Sequence, residues 1–341
     1  MRITHVVVTD AYAGVEAHVA RLARAQARSG HDVTVVGGAR DQMRAVVGDD
    51  VELRPGTTVA RARRSLVRGP RPDVVHAHMT AAEIAACLDA RVLLRRVPLV
   101  VTRHFALVRG RSAAGRVAAP VIRRTVAAQI AISTFVQERV DGPSRVVVAG
   151  LEERPHARGA ALRSPVVLVA SRLEPEKRVD AGVRAFAASG LAGAGWRLQV
   201  AGSGSLEVAT KELAAGLGLD GAVDLLGHRD DVPTLLADAG LFLAPTPGDG
   251  FGLSVLEAMA SGVPVVADGS GGHVESLGTA GGPGLYATGD VDDAGRRLRA
   301  LADDPVLRDR YGAALQARQR AEFSLAHQAA ATERVYREAM A

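Results

Sequence analysis

The chain has 341 residues, which is enough for two domains, and 48% of them are hydrophobic, so two cores can form. One cysteine, Cys87, excludes an intrachain disulfide, no apolar run approaches the roughly 18 residues of a membrane span, and the first ten residues predict a strand rather than a signal peptide. Residues 1–150 hold 23 arginines, no lysine and 12 acidic residues, a balance of +11, whereas the whole chain has a net charge of +5. We therefore expect a cytoplasmic protein with a basic first half.

That basic half fits an anionic acceptor, an anionic membrane surface or simply a solvated arginine-rich face. Nucleic acid is disfavoured as a partner, because aromatic residues make up only 3% of the chain and no recognition motif occurs.

The chain opens with a predicted strand, helix and strand. Residues 3–8 form an apolar run, helical spacing follows from Val15 to Gly30, and residues 32–37 form a second run. This order predicts the start of a doubly wound parallel sheet. Gly14 lies just before the helix, where a residue without a side chain lets a phosphate reach the first amides. An ordinary turn glycine is the alternative.

Three histidines follow the next two strands of the first half. His76 and His78 end the strand that begins at Val74, and they share one face. They could ligate zinc, but no third ligand is evident nearby in sequence, so we expect no metal. His104 follows the strand of residues 98–103, a position where a single histidine is usually structural. Residues 105–124 alternate basic and apolar, and they predict an acceptor-facing or membrane-facing helix.

The segment 149–164 lacks apolar periodicity and predicts a linker. A strand of residues 166–170 then opens a second domain. Arg172 and Lys177 follow it in a loop, where two cations could neutralise a diphosphate whose bond is breaking. A solvated basic loop is the alternative, although Lys177 is one of only two lysines in the sequence.

Two further patterns in the second half suggest other chemistry. Gly202 and Gly204 begin a dinucleotide fingerprint, but Glu207 stands where its third glycine belongs, so the evidence for NAD is weak. Asp230-Asp231 and the D-x-D of residues 290–292 invite a divalent metal, but both are expected to be surface loops. Arg229 beside the first of them is a candidate contact for a nucleobase.

The most informative stretch is LFLAPTPGDGFGLSVLE, residues 241–257, which predicts a strand, a loop and a helix beginning near Gly252. In a parallel sheet such loops lie at the ligand-binding edge, and the free amides of a helix start favour an anion. Asp249 lies in the loop, and Glu257 lies about one and a half turns into the helix. These carboxylates could hold opposite ends of an elongated ligand, or they could merely stabilise and solvate the helix.

Several of these residues match one family pattern. Asp249, Phe251, Gly252 and Glu257 resemble the E-x-F-G-x-x-x-x-E signature of the retaining GT-B glycosyltransferases of family GT4, with Asp in place of the first Glu. Residues 171–178 resemble G-R-L-x-x-x-K-G without its glycines, and residues 13–16 resemble G-G-V-x with Ala first. The D-V-V-H-x-H, T-R-H and G-G-x-x-E segments also fit.

The resemblance implies an α/β GT-B fold with two doubly wound Rossmann-like domains that face one another across a cleft. Residues 1–150 would bind the acceptor, with the helix of residues 326–341 packing back on them, and residues 164–325 would bind the donor. The implied reaction is a retaining, metal-independent transfer of a sugar from a nucleotide-diphosphate sugar to a hydroxyl acceptor. No cofactor is implied besides this co-substrate, and the leaving phosphate would accept the acceptor's proton.

The resemblance also implies roles for individual residues. Arg172 and Lys177 would stabilise the departing diphosphate, Asp249 would bind the sugar hydroxyls and His104 would face the sugar. The donor would further contact one set of residues: Gly14, Arg229, Phe251, Gly252, Leu253, Ser254 and Glu257. Glu16, His76 and His78 would line the acceptor side.

Two other functions fit these residues less well. A GT-B-like sugar-nucleotide epimerase would share the architecture without an external acceptor. A nucleotide-sugar-binding subunit of low activity would fit Ala13 and Asp249, whereas the intact Arg172, Lys177 and Glu257 argue against it.

Overall fold

The computed structural model describes residues 1–94, 96–110, 113–155 and 158–341, without the side chains of residues 113 and 114. The chain divides into two compact units, one of residues 1–150 with 325–341 and one of residues 151–324. Among the described residues, no helix has both the length and the apolar character needed to cross a bilayer.

The first unit contains seven parallel strands in the order β3-β2-β1-β4-β5-β6-β7. The strands are β1 (Arg2–Val7), β2 (Asp32–Val36), β3 (Val51–Arg54), β4 (Val74–His78), β5 (Leu99–Arg103), β6 (Val126–Ala131) and β7 (Arg145–Val146). The helices before residue 150 are α1 (Gly14–Arg28), α2 (Arg40–Val47), α3 (Val59–Arg68), α4 (Thr80–Cys87), α5 (Ala90–Leu93), α6 (Ala113–Thr125) and α7 (Thr134–Gln137).

The second unit repeats this arrangement with six parallel strands in the order β10-β9-β8-β11-β12-β13. The strands are β8 (Ser164–Ala170), β9 (Arg197–Ala201), β10 (Val223–Gly227), β11 (Ala239–Ala244), β12 (Val265–Asp268) and β13 (Leu285–Tyr286). The helices are α8 (Val179–Ser189), α9 (Glu207–Gly216), α10 (Val232–Asp238), α11 (Leu253–Ala260), α12 (Gly272–Leu277), α13 (Val291–Asp303) and α14 (Pro305–Glu322), and the last helix of the chain, α15 (Leu325–Met340), belongs to the first unit.

Both units therefore have the doubly wound topology that the alternation of apolar runs and helical patterns predicts, and this part of the prediction is confirmed. In each sheet the strand order reverses next to the first strand, between β1 and β4 and between β8 and β11. At this switch point two loops leave the carboxyl edge of neighbouring strands in opposite directions, which opens a crevice for a ligand.

The last helix, α15, completes the first unit by packing on α1, β5 and β6. Its Tyr336 is fully buried and packs with Ile3, Val19 and Val100 in the core on one face of the sheet. Burial of such a large side chain against aliphatic residues removes it from water, which stabilises the attachment of the helix.

The segment 149–164, predicted as a linker, is packed where the structure describes it; residues 156–157 lie outside the described residues. Leu151 is buried and its N–H donates to Phe323 O at 2.9 Å. Arg163 donates to the carbonyls of Ala239 and Ser261, the latter at the carboxyl end of α11. Arginine side chains satisfy carbonyls that lack a helical partner, so this segment is fixed to the second unit.

Candidate functional site

The strongest candidate site lies at the switch point of the second unit. Lys177 ends a short 3-10 helix of residues 175–177 in the loop after β8, and Asp249 lies in the loop after β11. Because β8 and β11 are hydrogen-bonded neighbours, their loops meet at one edge of the sheet. The sequence places these two side chains 72 positions apart, and the topology brings them into contact.

Lys177 and Asp249 form a partly buried ion pair. The Lys177 Nζ lies 3.0 Å from Asp249 Oδ2, and the side chains are 24% and 22% exposed. The other carboxylate oxygen of Asp249 accepts the N–H groups of Gly252 at 2.8 Å and Phe251 at 3.2 Å. Burial raises the pKa of Asp249, but Lys177 and the other partners outweigh it, so the pKa is lowered and the carboxylate stays ionised at neutral pH.

A glycine turn holds the loop that carries Asp249. A Cβ on Gly271 would lie 2.6 Å from Asp249 O, and one on Gly272 would lie 2.4 Å from the Cα of Phe251. Gly272 N–H donates to Asp249 O at 2.7 Å. The G-G-x-x-E segment therefore has a physical role, because two residues without side chains let this turn press directly against the loop.

The amides at the start of α11 are partly used by the protein itself. Gly252, with φ 78°, precedes the helix, and its N–H is bound by Asp249. The next two N–H groups, of Leu253 and Ser254, have no acceptor within the described part of the chain. Two aligned amides and the helix dipole can still bind a phosphate oxygen. Gly252 N–H can therefore contact the donor only if Asp249 first releases this N–H group.

Phe251 is 1% exposed, and its ring packs edge-on against Phe323 at a centroid distance of 5.4 Å. The side chain anchors the loop to the core, so only the backbone of this residue could contact a ligand. Glu257, by contrast, is half-buried on α11, one face of which remains within reach of solvent.

Arg172 and Arg229, the other predicted cations of this unit, lie on the surface in ion pairs. Arg172 Nη2 contacts Glu176 at 2.8 Å, and the two side chains are 57% and 58% exposed. Arg229 binds both oxygens of Asp231 at 2.7 and 2.6 Å. Water screens both pairs because they are exposed, so an anionic ligand could replace either carboxylate at little cost.

The two acidic patterns and the G-x-G have structural explanations. Asp290 caps α13 by accepting the N–H of Asp293 at 2.8 Å, and Asp230 and Asp231 are exposed beside His228 and Arg229. A Cβ on Gly202 or Gly204 would collide with the backbone of residues 171–173. These glycines allow two neighbouring loops at the strand edge to touch.

Arg178 occupies a backbone conformation that suits glycine. Its φ and ψ are 50° and 40°, in the left-handed region, directly after Lys177. For a residue with a side chain this conformation costs about 1–2 kcal/mol. The geometry explains why the GT4 pattern has glycine at this position.

We expect Arg178→Gly to raise the free energy of unfolding by about 0.5–1 kcal/mol, since relief of the strain exceeds the added freedom of the unfolded chain. Arg178→Ala is the matched control. It retains the strain, loses the exposed pair with Asp180, and should be no more stable than the wild type. Urea unfolding of the three proteins measures the difference, and a destabilised Arg178→Gly would contradict this explanation.

In the first unit, Gly14 begins α1 at the corresponding switch point, after β1. The predicted acceptor residue Glu16 is 5% exposed, and its Oε2 accepts the N–H of Ala13 at 2.8 Å. Glu16 thus closes the first turn of its own helix.

His76, His78 and His104 belong to a cluster of five buried histidines, which also contains His5 and His18. The rings of His76 and His78 have centroids 4.2 Å apart, and His104 meets His18 edge-on at 4.9 Å. No third ligand for His76 and His78 is evident in the sequence, but the structure places His5 beside them. His5 stands beside His76 in the pairing of β1 with β4, so the assumed strand order could have identified it from the sequence.

Two groups of three histidines could hold a metal by proximity alone. Ring nitrogens lie within 4.8 Å of one another in the set His5, His76 and His78 and in the set His18, His78 and His104. Hydrogen bonds compete for these nitrogens. Both nitrogens of His76 face hydroxyl groups, at 2.6 and 2.7 Å, and Nε2 of His18 faces the Gln328 amide nitrogen at 3.1 Å. A metal would have to break bonds that are buried and satisfied.

A buried ion-pair network lies beside His104. Arg109 donates to Glu83 through Nε at 2.7 Å and Nη2 at 3.1 Å, and to Asp141 through Nη1 at 3.0 Å. Arg103 donates to Asp141 at 2.9 Å. The side chains of Arg109 and Glu83 are only 2% and 1% exposed, so the loop after β5 is fixed to α4 by charges removed from water.

Both units match models of known protein families. The model of "Glycosyl transferases group 1" matches residues 152–318, and that of "Glycosyltransferase Family 4" matches residues 12–149. A mannosyltransferase of Corynebacterium glutamicum, named as GDP-mannose-dependent and acting on monoacylated alpha-(1-6)-phosphatidylinositol monomannoside, is 37% identical over 47% of this chain and 44% of its own. The Mycobacterium tuberculosis glycogen synthase is 28% identical over 95% of this chain and 90% of its own.

Among solved structures, Anabaena HepE in complex with UDP and glucose has a TM-score of 0.79 and 22% identity, covering 98% of both chains. At this identity the likeness shows the fold. The chain spans less than half the length of the first curated relatives that it matches.

Proposed function

Because the chain belongs to the GT4-type glycosyltransferases, we propose that it transfers a sugar from a nucleotide-diphosphate sugar to a hydroxyl acceptor, with retention at the anomeric carbon. The observation that carries this proposal is the Lys177–Asp249 pair beside the start of α11. A cation, a carboxylate and aligned amides meet at the switch point, which is the arrangement that a sugar diphosphate requires.

The proposed roles follow from the charges of the two ligand halves. The diphosphate would bind the Lys177 ammonium and the amides of Leu253 and Ser254, with Arg172 contributing after it leaves Glu176. Asp249, which remains ionised, would accept hydrogen bonds from sugar hydroxyls. Glu257 would bind the ribose hydroxyls further along α11, and Arg229 would contact the base.

In the first unit, the start of α1 at Gly14 would contact the diphosphate, and His104 would contact the transferring sugar. Burial lowers the pKa of His104 to about 3, so this imidazole is neutral at physiological pH and does not serve as a general acid. A mechanism in which the leaving phosphate accepts the proton of the acceptor agrees with a neutral His104.

Calorimetric titration with GDP, UDP and dTDP tests the donor site directly. We expect micromolar binding of one nucleotide, weakened by Lys177→Ala and unchanged by Lys211→Ala. Lys211, the other lysine of the chain, is exposed and pairs with Glu207, so it is a matched control. If the folded protein binds none of the nucleotides or their sugars, the proposal fails.

Product analysis then tests the reaction itself. Proton NMR of the product formed from an α-linked donor should show an α linkage if the transfer is retaining. An epimerised nucleotide sugar formed without acceptor would instead identify the alternative enzyme.

We further propose that transfer needs no metal. Asp290 caps α13 and Asp231 pairs with Arg229, and the diphosphate charge can be neutralised by Lys177 and Arg172. Activity after dialysis against EDTA should equal that of the untreated enzyme. Loss of activity that manganese restores would refute metal independence.

The proposed acceptor is anionic and lies at the inner membrane surface. The first 150 residues carry a net charge of +11, and α6 exposes Val117 (81%) and Val121 (46%), with Phe105 (47%) in the preceding loop. Exposed apolar residues beside arginines favour contact with anionic lipid. Vesicles with phosphatidylglycerol should bind the protein, and Val117→Asp should weaken this binding severalfold. Equal binding to neutral vesicles at high salt would argue against an electrostatic component.

A further inference from the structure

The buried histidines of the first unit form one continuous hydrogen-bonded chain that ends at His104. Its Nε2 lies 3.1 Å from Nδ1 of His78, and Nε2 of His78 lies 3.1 Å from Nδ1 of His5. Nε2 of His5 lies 2.7 Å from the amide oxygen of Gln26. All four side chains are at most 5% exposed, so water does not interrupt the chain.

Each of these imidazoles is neutral at physiological pH. Burial lowers the pKa of His5 to about 4, and burial together with the neighbouring rings holds the pKa of His78 well below its usual range. A neutral imidazole has one N–H donor and one unprotonated nitrogen. In a bond between two such rings only one of the facing nitrogens carries a hydrogen, so the tautomer of one ring determines that of the next.

Gln26 sets the direction of the chain, because its amide presents oxygen to His5 and nitrogen to Tyr336 OH. An oxygen can only accept, so His5 must carry its hydrogen on Nε2 and accept at Nδ1. His78 must then donate from Nε2 and accept at Nδ1. His104 in turn must donate from Nε2, which leaves its Nδ1 unprotonated.

The other side of Gln26 is consistent with this direction. Its amide nitrogen lies 3.3 Å from Tyr336 OH, which faces Nδ1 of His76 at 2.6 Å, and Nε2 of His76 faces Thr102 Oγ1 at 2.7 Å. Tyr336 can accept from Gln26 and donate to His76, and His76 can donate to Thr102. Each of these contacts therefore pairs one donor with one acceptor, and turning the amide over would reverse every one of them.

We propose that Gln26 is a positioning residue that fixes His104, through His5 and His78, as the tautomer with hydrogen on Nε2 and an acceptor at Nδ1. Nδ1 of His104 has no partner among the described residues, so it is available to a hydroxyl group of the transferring sugar. The link to the sugar rests on the proposed function. The tautomer itself does not, and it can be measured in the free protein.

Nitrogen NMR of the protein labelled with ¹⁵N-histidine separates the two tautomers, since protonated and unprotonated ring nitrogens differ widely in chemical shift. His104→Gln assigns the signals among the ten histidines of the sequence. We expect Nε2–H for His104 in the wild type, a mixture of tautomers in Gln26→Leu, and restoration in Gln26→Glu, whose carboxylate can only accept. Gln328→Leu is the matched control, because that buried amide faces His18 outside the chain.

Transfer kinetics provide the second measurement. Gln26→Leu should lower kcat by about tenfold, which is the effect expected from losing one hydrogen bond to the sugar, and should leave the KM for the donor little changed. Gln26→Glu should restore most of the lost kcat. A wild-type His104 that carries hydrogen on Nδ1, or a tautomer that does not respond to Gln26→Leu, would overturn the proposal. A tautomer that responds while kcat does not would uphold the positioning chain and refute the proposed contact of His104 with the sugar.

Discussion

Replacing Lys177 by alanine is expected to lower the rate of sugar transfer by about 10²–10³-fold, the effect of removing one preorganised charge from a developing anion. The ammonium lies 3.0 Å from Asp249, between the loops after β8 and β11, where the diphosphate is proposed to bind. The fold should survive, because Asp249 keeps its bonds from the N–H groups of Gly252 and Phe251. Turnover with saturating donor measures the loss.

Two controls separate charge from geometry at this position. Lys177→Arg retains the charge but replaces a point cation by a planar fork, so it should recover only part of the rate. Lys211→Ala should be indistinguishable from the wild type. Turnover of Lys177→Ala within about threefold of the wild type would remove this residue from the mechanism.

Replacing Glu83 by glutamine is expected to lower the free energy of unfolding by about 3–5 kcal/mol, since it leaves the buried Arg109 guanidinium short of a charged partner. The two side chains are 1% and 2% exposed and share two hydrogen bonds. The double substitution Glu83→Leu with Arg109→Met removes both charges and should recover much of that loss. Urea unfolding measures all three proteins.

An exposed pair is the control for this prediction. Arg337→Gln breaks the ion pair between Arg337 and Glu333, in which the arginine side chain is 72% exposed. This substitution should change the free energy of unfolding by less than about 1 kcal/mol. If Glu83→Gln is equally mild, Asp141 alone satisfies Arg109 and the network is less coupled than its geometry indicates.

Asp141 makes the same network sensitive to acid. Burial raises the pKa of its carboxyl group, but Arg103 and Arg109 outweigh this and hold the pKa well below its usual range. Its contribution to stability is therefore complete above the unfolded pKa of about 3.9, and it is lost as the pH falls from there towards the folded value.

The sequence predicts the fold well because the local signals agree with one another. Runs such as residues 32–37 and 241–244 are short, apolar and separated by helical patterns, which leaves a parallel doubly wound sheet as the simplest solution. The same topology places Lys177 and Asp249 at one edge, so the core of the candidate site also follows from the pattern.

What sequence reasoning missed depends on contacts between distant segments. His5 and Gln26 match no motif, and their importance arises only when β1 pairs with β4, where His5 meets His78, 73 positions later in the chain. The packing of Phe251 into the core and the pairing of Arg229 with Asp231 could not be read from residue type, since both residue types also occur in ligand contacts.

The position of α15 has a consequence for how the protein is made. Residues 325–341 supply the fully buried Tyr336 to a unit whose other residues are 1–150. During synthesis the ribosome therefore completes the contiguous segment 151–324 before the first unit receives its last helix. The unit that is translated second can therefore form its core first. In the nascent first unit, His76 lacks its hydrogen-bond partner Tyr336 until the last turns of α15 emerge from the ribosome.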